Sequence, residues 1–183
     1  MILPIYLYGQ PVLRKEAEEV EENYPELPTL AANMYATMEK ANGVGLAAPQ
    51  VGLAIRMFVV DGNGLAEEYP ECAGMRRCMI NPEIVEEADE TNTKDEGCLS
   101  IPGIYESVKR PNWIVINYLD ENLVEHEEKV SGFAARMTLH EYDHLDGKMF
   151  IDHVSPLRKQ LIKTKLSAIV KGKVSTSYKV KQK

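Results

Sequence analysis

The sequence predicts an α+β fold, with strands gathered in the middle of the chain and helices towards either end. Three observations lead there. Apolar residues recur at helical spacing near residues 27–38, 133–145 and 156–171; β-branched and aromatic runs fill much of the span between 55 and 130; and Asp120-Glu121-Asn122 reads as a turn joining two of those runs into a hairpin.

Taken in order, Leu27, Leu30, Ala31, Met34 and Met38 form the stripe of a first helix. A glycine-rich loop over residues 43–50 separates it from a strand at 55–60. Further strands are expected at 79–85, 104–109, 114–119 and 126–130. The acidic stretch between Glu83 and Glu96 reads as a solvated strand end and loop. Phe133, Ala134 and Met137 open a half-buried helix of about three to four turns, with Gly147 as its stop. Residues 156–171 form an amphipathic helix with Leu157, Leu161, Ile162, Leu166 and Ile169 on one side and a basic face opposite. Beyond Gly172 a basic tail, 172–183, is expected to fray.

A length of 183 residues with 44% hydrophobic content fits one domain spanning 1–183 with its own core. No apolar run is long enough to cross a membrane, and the start, interrupted by Pro4 and without basic residues, does not read as a secretory signal. Cys72, Cys78 and Cys98 are an odd set without framework spacing, which suggests reduced thiols and a cytoplasmic location. Cys72 and Cys78 fall in a loop-like stretch and receive no function. The net charge of −7 is uneven: all 28 acidic residues lie at or before Asp152, while the last 31 residues hold 9 basic residues and no acidic one.

The most informative run is His140-Glu141-Tyr142-Asp143-His144. On a helix, residues four apart share a face, so both imidazoles can reach one divalent metal while Glu141 stands beside its water. A third ligand is required. One class of such motifs ends in a third histidine, but Phe150 occupies that position, and no glutamate follows Glu141. Asp143, Asp146, Asp152 and His153 remain downstream; upstream the best donor is Cys98, flanked by Gly97 within Glu96-Gly97-Cys98-Leu99-Ser100. The segment Gly43-Val44-Gly45-Leu46-Ala47-Ala48-Pro49-Gln50 is not a dinucleotide fingerprint, because a helix precedes it and a strand follows. Its Gln50 amide can donate to a developing oxyanion.

Together the glycine loop, the EGCLS segment and the HExxH helix, in that order, resemble the polypeptide deformylase family over about Gly9 to Leu157. The resemblance implies antiparallel sheets surrounding a central metal-binding helix, with an N-terminal and a C-terminal helix. It implies Cys98, His140 and His144 as metal ligands, Glu141 as catalytic acid and base, and Gln50 with the backbone amide of Leu99 as oxyanion donors. Gly45 would pair through its backbone with the substrate, an N-formylmethionyl nascent polypeptide, from which formate is released. The cation would lower the pKa of water from about 15.7 towards 7, so hydroxide exists near neutrality. A Cys/His/His set suits zinc, iron, cobalt and nickel, and the resemblance favours one iron(II) per chain. Two departures stand out: Leu139 replaces the glutamine many relatives carry, and Tyr105 and its neighbours supply no basic residue near the substrate backbone.

Val44, Phe133 and Met137 are expected to wall an apolar pocket for a methionine side chain, while Arg136 points outwards. Glu96 and Arg110 form an expected ion pair steadying a histidine or the cysteine loop. The basic C-terminal helix is a candidate contact for the ribosome. Two rival readings share these motifs: an HExxH metallopeptidase that does not use Cys98, and a non-catalytic ribosome-binding module whose metal site is closed by His126 or His153.

Overall fold

The structure, a computed structural model, describes residues 1–182. A short strand β1 (Ile5–Tyr6) leads to helix α1 (Leu27–Lys40), which carries Pro28 in its first turn, where no intrahelical donor is lost. Leu27, Ala31, Met34 and Met38 supply its buried face. The glycine loop then runs as strand β2 (Gly45–Ala47) and pairs antiparallel with β3 (Met57–Asp61). Next come β4 (Arg76–Glu87), β5 (Thr91–Cys98), β6 (Ile101–Pro111), β7 (Trp113–Leu119) and β8 (Glu125–Ser131). Helices α2 (Gly132–Leu145) and α3 (Pro156–Val170) follow, then β9 (Val180–Lys181).

Five strands form one antiparallel sheet in the order β2-β3-β4-β7-β8, and β5 and β6 form a separate hairpin. Helix α2 lies between them. One side packs Ala134, Ala135, Met137 and Leu145 against Phe58, Met79, Ile114 and Ile116 of the sheet, and the other reaches the hairpin through Arg136 and His140. Ten of its fourteen residues are buried, which makes it the central element rather than a surface helix. It ends at Leu145, and Gly147 two residues on has a φ of +69°, where an added Cβ would come within 2.7 Å of the Arg14 carbonyl oxygen, so a side chain has no room there.

The antiparallel α+β architecture agrees with expectation, while several element boundaries differ. The strand expected from residue 55 begins at Met57, because Ile55 makes only an isolated bridge to Glu18. The acidic stretch is mostly ladder: β4 continues to Glu87 and β5 starts at Thr91, since exposed acids on one side of a strand do not prevent backbone pairing. Cys78 lies within β4 and Cys72 in a 3-10 turn, both buried. In α3 only Ile162 and Ile169 are buried; Leu157 and Leu161 remain 67% and 60% exposed, so two of the five residues of the expected apolar stripe face solvent. Beyond Gly172 the chain contributes β9, which pairs parallel with β1. Among the described residues, no helix is long and apolar enough to cross a membrane.

Phe58, fully buried between the sheet and α2, tests this packing. Phe58→Ala should destabilise the protein by about 3–5 kcal/mol, read as a lower urea midpoint with an unchanged slope.

Candidate metal centre

Helix α2 places His140 and His144 one turn apart, ring centroids 5.3 Å from each other. The last residue of β5, Cys98, comes alongside, with its Sγ 3.4 Å from Nε2 of His144. The candidate ligand atoms of Cys98, His140 and His144 all lie within 4.8 Å of one another, the spacing a single small cation needs. Nδ1 of His140 is occupied by Oε1 of Glu96 at 2.9 Å, which leaves Nε2 for a metal. The donor set fits a thiophilic divalent ion. Neither other histidine joins it: His126 bonds Asp120 and His153 bonds Asp143.

Glu96 is the hub behind the centre. It is 7% exposed and accepts from Arg110 Nε and Nη2 at 3.0 and 2.9 Å, from Arg136 Nη1 at 2.7 Å, and engages His140. Burial opposes its charge, but the hydrogen bonds from His140 and Arg110 overcome that and hold its carboxyl far below the usual range. Arg110 also donates to Asp143 at 2.7 Å. The Glu96–Arg110 pair is therefore buried and touches a candidate ligand, as distinct from an exposed surface pair.

Arg136 corrects an expectation. Far from pointing outwards, it is 2% exposed and donates to Glu96, to the Val108 carbonyl and to the carbonyl and side chain of Asn92. The signal was present in the sequence: residues 136, 140 and 144 are spaced by four, so they share one face of α2. Only the hairpin carrying Glu96, folded onto that face, makes burial of the guanidinium tolerable.

Glu141 lies at the edge of the same site. It is 4% exposed and its Oε2 has no protein partner; burial pushes its carboxyl up to about 7. A Cβ on Gly45 would collide with Glu141 Oε1, so β2 can run this close only with glycine there. Burial, then the neighbouring His140 charge, pushes His144 down to about 3, so its ring is neutral and available as a ligand. In His140 burial works against the cation, but hydrogen bonds to Cys98 and Glu96 raise it well above 6.5.

Gln50, on the 3-10 turn after β2, is 1% exposed. Its Oε1 accepts from the Ala47 amide at 2.9 Å, which orients Nε2 towards Ser100 Oγ at 3.1 Å and Cys98 Sγ at 3.4 Å. A cavity of about 470 Å³ opens over this group. Val44, Gly45, Leu99, Phe133 and Met137 line it, together with Tyr105 and Tyr178, neither of which was expected there as a site residue.

Two outcomes follow from these charges. Glu96→Ala leaves two buried guanidinium groups without their shared carboxylate and should cost about 3–5 kcal/mol, measured by urea unfolding of the metal-free protein. Glu141 has its folded-state pKa raised above the unfolded 4.5, so its contribution to stability is full below 4.5 and is lost as pH rises through about 7. Metal-free wild type should lose stability across that window relative to Glu141→Gln, in paired denaturation curves at stepped pH.

Residues 2–160 match the polypeptide deformylase family model. Among curated proteins, the chain is 50% identical to a peptide deformylase of Christiangramia forsetii over 99% of this chain and 96% of that protein. It is 45% identical to one of Cytophaga hutchinsonii over 99% and 97%. Among solved structures, it resembles a peptide deformylase of Legionella pneumophila with TM-score 0.82 and 36% identity, covering 94% of this chain and 98% of that one. One of Ehrlichia chaffeensis, in complex with actinonin, gives TM-score 0.84 and 34% identity over 95% and 99%. With its three motifs folded around one centre and matches spanning nearly its whole length, this chain belongs to the polypeptide deformylase family.

Proposed function

We propose that this chain is a metal-dependent amide hydrolase that removes the formyl group from the N-terminal formylmethionine of new polypeptides, releasing formate. One observation carries the reading: among the described residues three side-chain donors converge, without a fourth, beside the buried carboxylate of Glu141, whose Oε2 has no protein partner. Cys98, His140 and His144 would hold the cation, which when bound polarises the carbonyl and makes water more acidic.

The chain's own groups then have defined tasks. Glu141 takes the proton from the attacking water as the oxygen bonds to the formyl carbon, and returns it to the amine as the carbon–nitrogen bond breaks. In the metal-free protein burial raises this carboxyl towards neutrality, the direction that a group which both accepts and returns a proton requires. The Leu99 amide and Gln50 Nε2 donate to the oxyanion, an effect of about 3–4 kcal/mol per donor in comparable hydrolases. Gly45 pairs its backbone with the peptide, and Val44, Phe133 and Met137 wall the space for the methionine side chain.

The thiolate beside two imidazoles accommodates several divalent ions, and we assign iron(II) in the cell from the motif resemblance. The whole chain acts as one catalytic domain in the cytoplasm. The exposed lysines of α3, Lys159, Lys163 and Lys165, support contact with the ribosome where nascent chains emerge.

Formate release from a formyl-methionyl peptide tests the reading. Glu141→Ala should keep its metal, measured by elemental analysis, and lose turnover by about a hundredfold or more; Cys98→Ala should lose both. Cleavage of internal peptide bonds without formate release would replace this function with a peptidase. Peroxide should inactivate the iron-loaded enzyme through oxidation at Cys98, detected by mass spectrometry, and an iron enzyme that stays fully active would refute the metal assignment.

A further inference from the structure

The family match ends at residue 160, yet the chain beyond it returns to the centre. After α3 it runs back to β1, where Val180 and Lys181 pair with Ile5 and Tyr6. Tyr178, two residues before that pairing, lines the cavity and donates its hydroxyl to the Leu99 carbonyl at 2.6 Å. Next to β1, the Tyr8 amide donates to the Ser100 carbonyl at 2.8 Å. Both carbonyls belong to the tight turn between β5 and β6, where Cys98 stands opposite Ile101. From the cavity side Gln50 holds the Cys98 sulfur and the Ser100 hydroxyl. The turn is thus held by the two ends of the chain and by the glycine loop.

We propose that Tyr178 is a positioning residue for this turn: its hydroxyl fixes the Leu99–Ser100 peptide and so limits rotation at the Leu99 Cα, which joins it to the Cys98–Leu99 peptide and sets the direction of the Leu99 amide towards the reacting carbonyl. This inference rests on the deformylase reading. An amide acts on an oxyanion only when aimed at the place where charge develops, and a peptide free to rotate loses that aim. Ladder pairing of Cys98 with Ile101 does not by itself fix every peptide of the two-residue turn between them, so the Leu99 carbonyl takes its donor from elsewhere. The ring of Tyr178 is half-buried, and burial followed by the nearby Cys98 and Tyr105 pushes the phenol up to about 12, so it remains a donor throughout the neutral range.

The test is Tyr178→Phe in the full-length, metal-loaded enzyme, which removes one oxygen and keeps the ring. The expected result is a fall in kcat of about fivefold, with KM for a formyl-methionyl peptide and metal content unchanged. In the metal-free protein, hydrogen exchange at the Tyr8 amide and in the 98–101 segment should quicken, because the turn has lost one of its holds. Unchanged kcat with unchanged exchange would overturn the proposal. So would a loss of activity fully accounted for by lost metal or a lower Tm, since that is a structural role alone. Wild-type enzyme that releases no formate would defeat the deformylase reading instead, and the exchange measurement would still decide whether Tyr178 holds the turn.

Discussion

The carboxylate of Glu96 ties the candidate centre to the rest of the chain. It gathers Arg110 from β6, Arg136 from α2 and a histidine of the motif, so hairpin and helix meet through one buried anion. Taking such charges out of water costs several kcal/mol per ion, and hydrogen bonds to most of the network's donors and acceptors offset that cost. Here both Glu96 oxygens are used, and Arg110 turns its Nη1 to Asp143, which His153 also engages, while Nε of Arg136 has no protein partner. The arrangement fixes the ring of His140 and decides which of its nitrogens faces the site.

Burial sets the chemistry of the groups in front of that network. The same desolvation that raises Glu141 lowers His144, because each is pushed towards its neutral form. A carboxyl that holds and releases a proton near neutrality and a ring that stays unprotonated are what a hydrolytic metal site requires of its base and its ligand. Glycine at position 45 lets a strand approach Glu141 closely enough to exclude solvent on that side. The sulfur comes from a different element, and its placement depends on a turn held by Gln50, Tyr8 and Tyr178.

Much of this was legible in local patterns. The spacing of His140 and His144 placed both on one face of α2, and the absence of a later glutamate or suitable histidine pointed upstream to Cys98. The elements that escaped were those whose formation depends on a partner. Strand β5 carries exposed threonines, a lysine and Asp95 with no apolar alternation, and it is a strand because β6 pairs with it along most of its length. Arg136 looked like a surface residue because an arginine is buried only where a specific anion waits for it, and that anion lies forty residues away. Val180 and Lys181 are a strand only because the two chain ends meet.

The sequence by itself determined the helical face bearing two imidazoles and a carboxylate, the glycine loop, and the cysteine segment, because these follow from residue spacing and side-chain chemistry along a few turns of chain. The tertiary structure alone decided that β5 brings its sulfur to that face, that Glu96 stands behind His140 with two arginines, and that Tyr178 comes back to the cavity. Each of those depends on contacts between residues far apart in the chain, and burying a charge or pairing an edge strand is favourable only once the partner is in place.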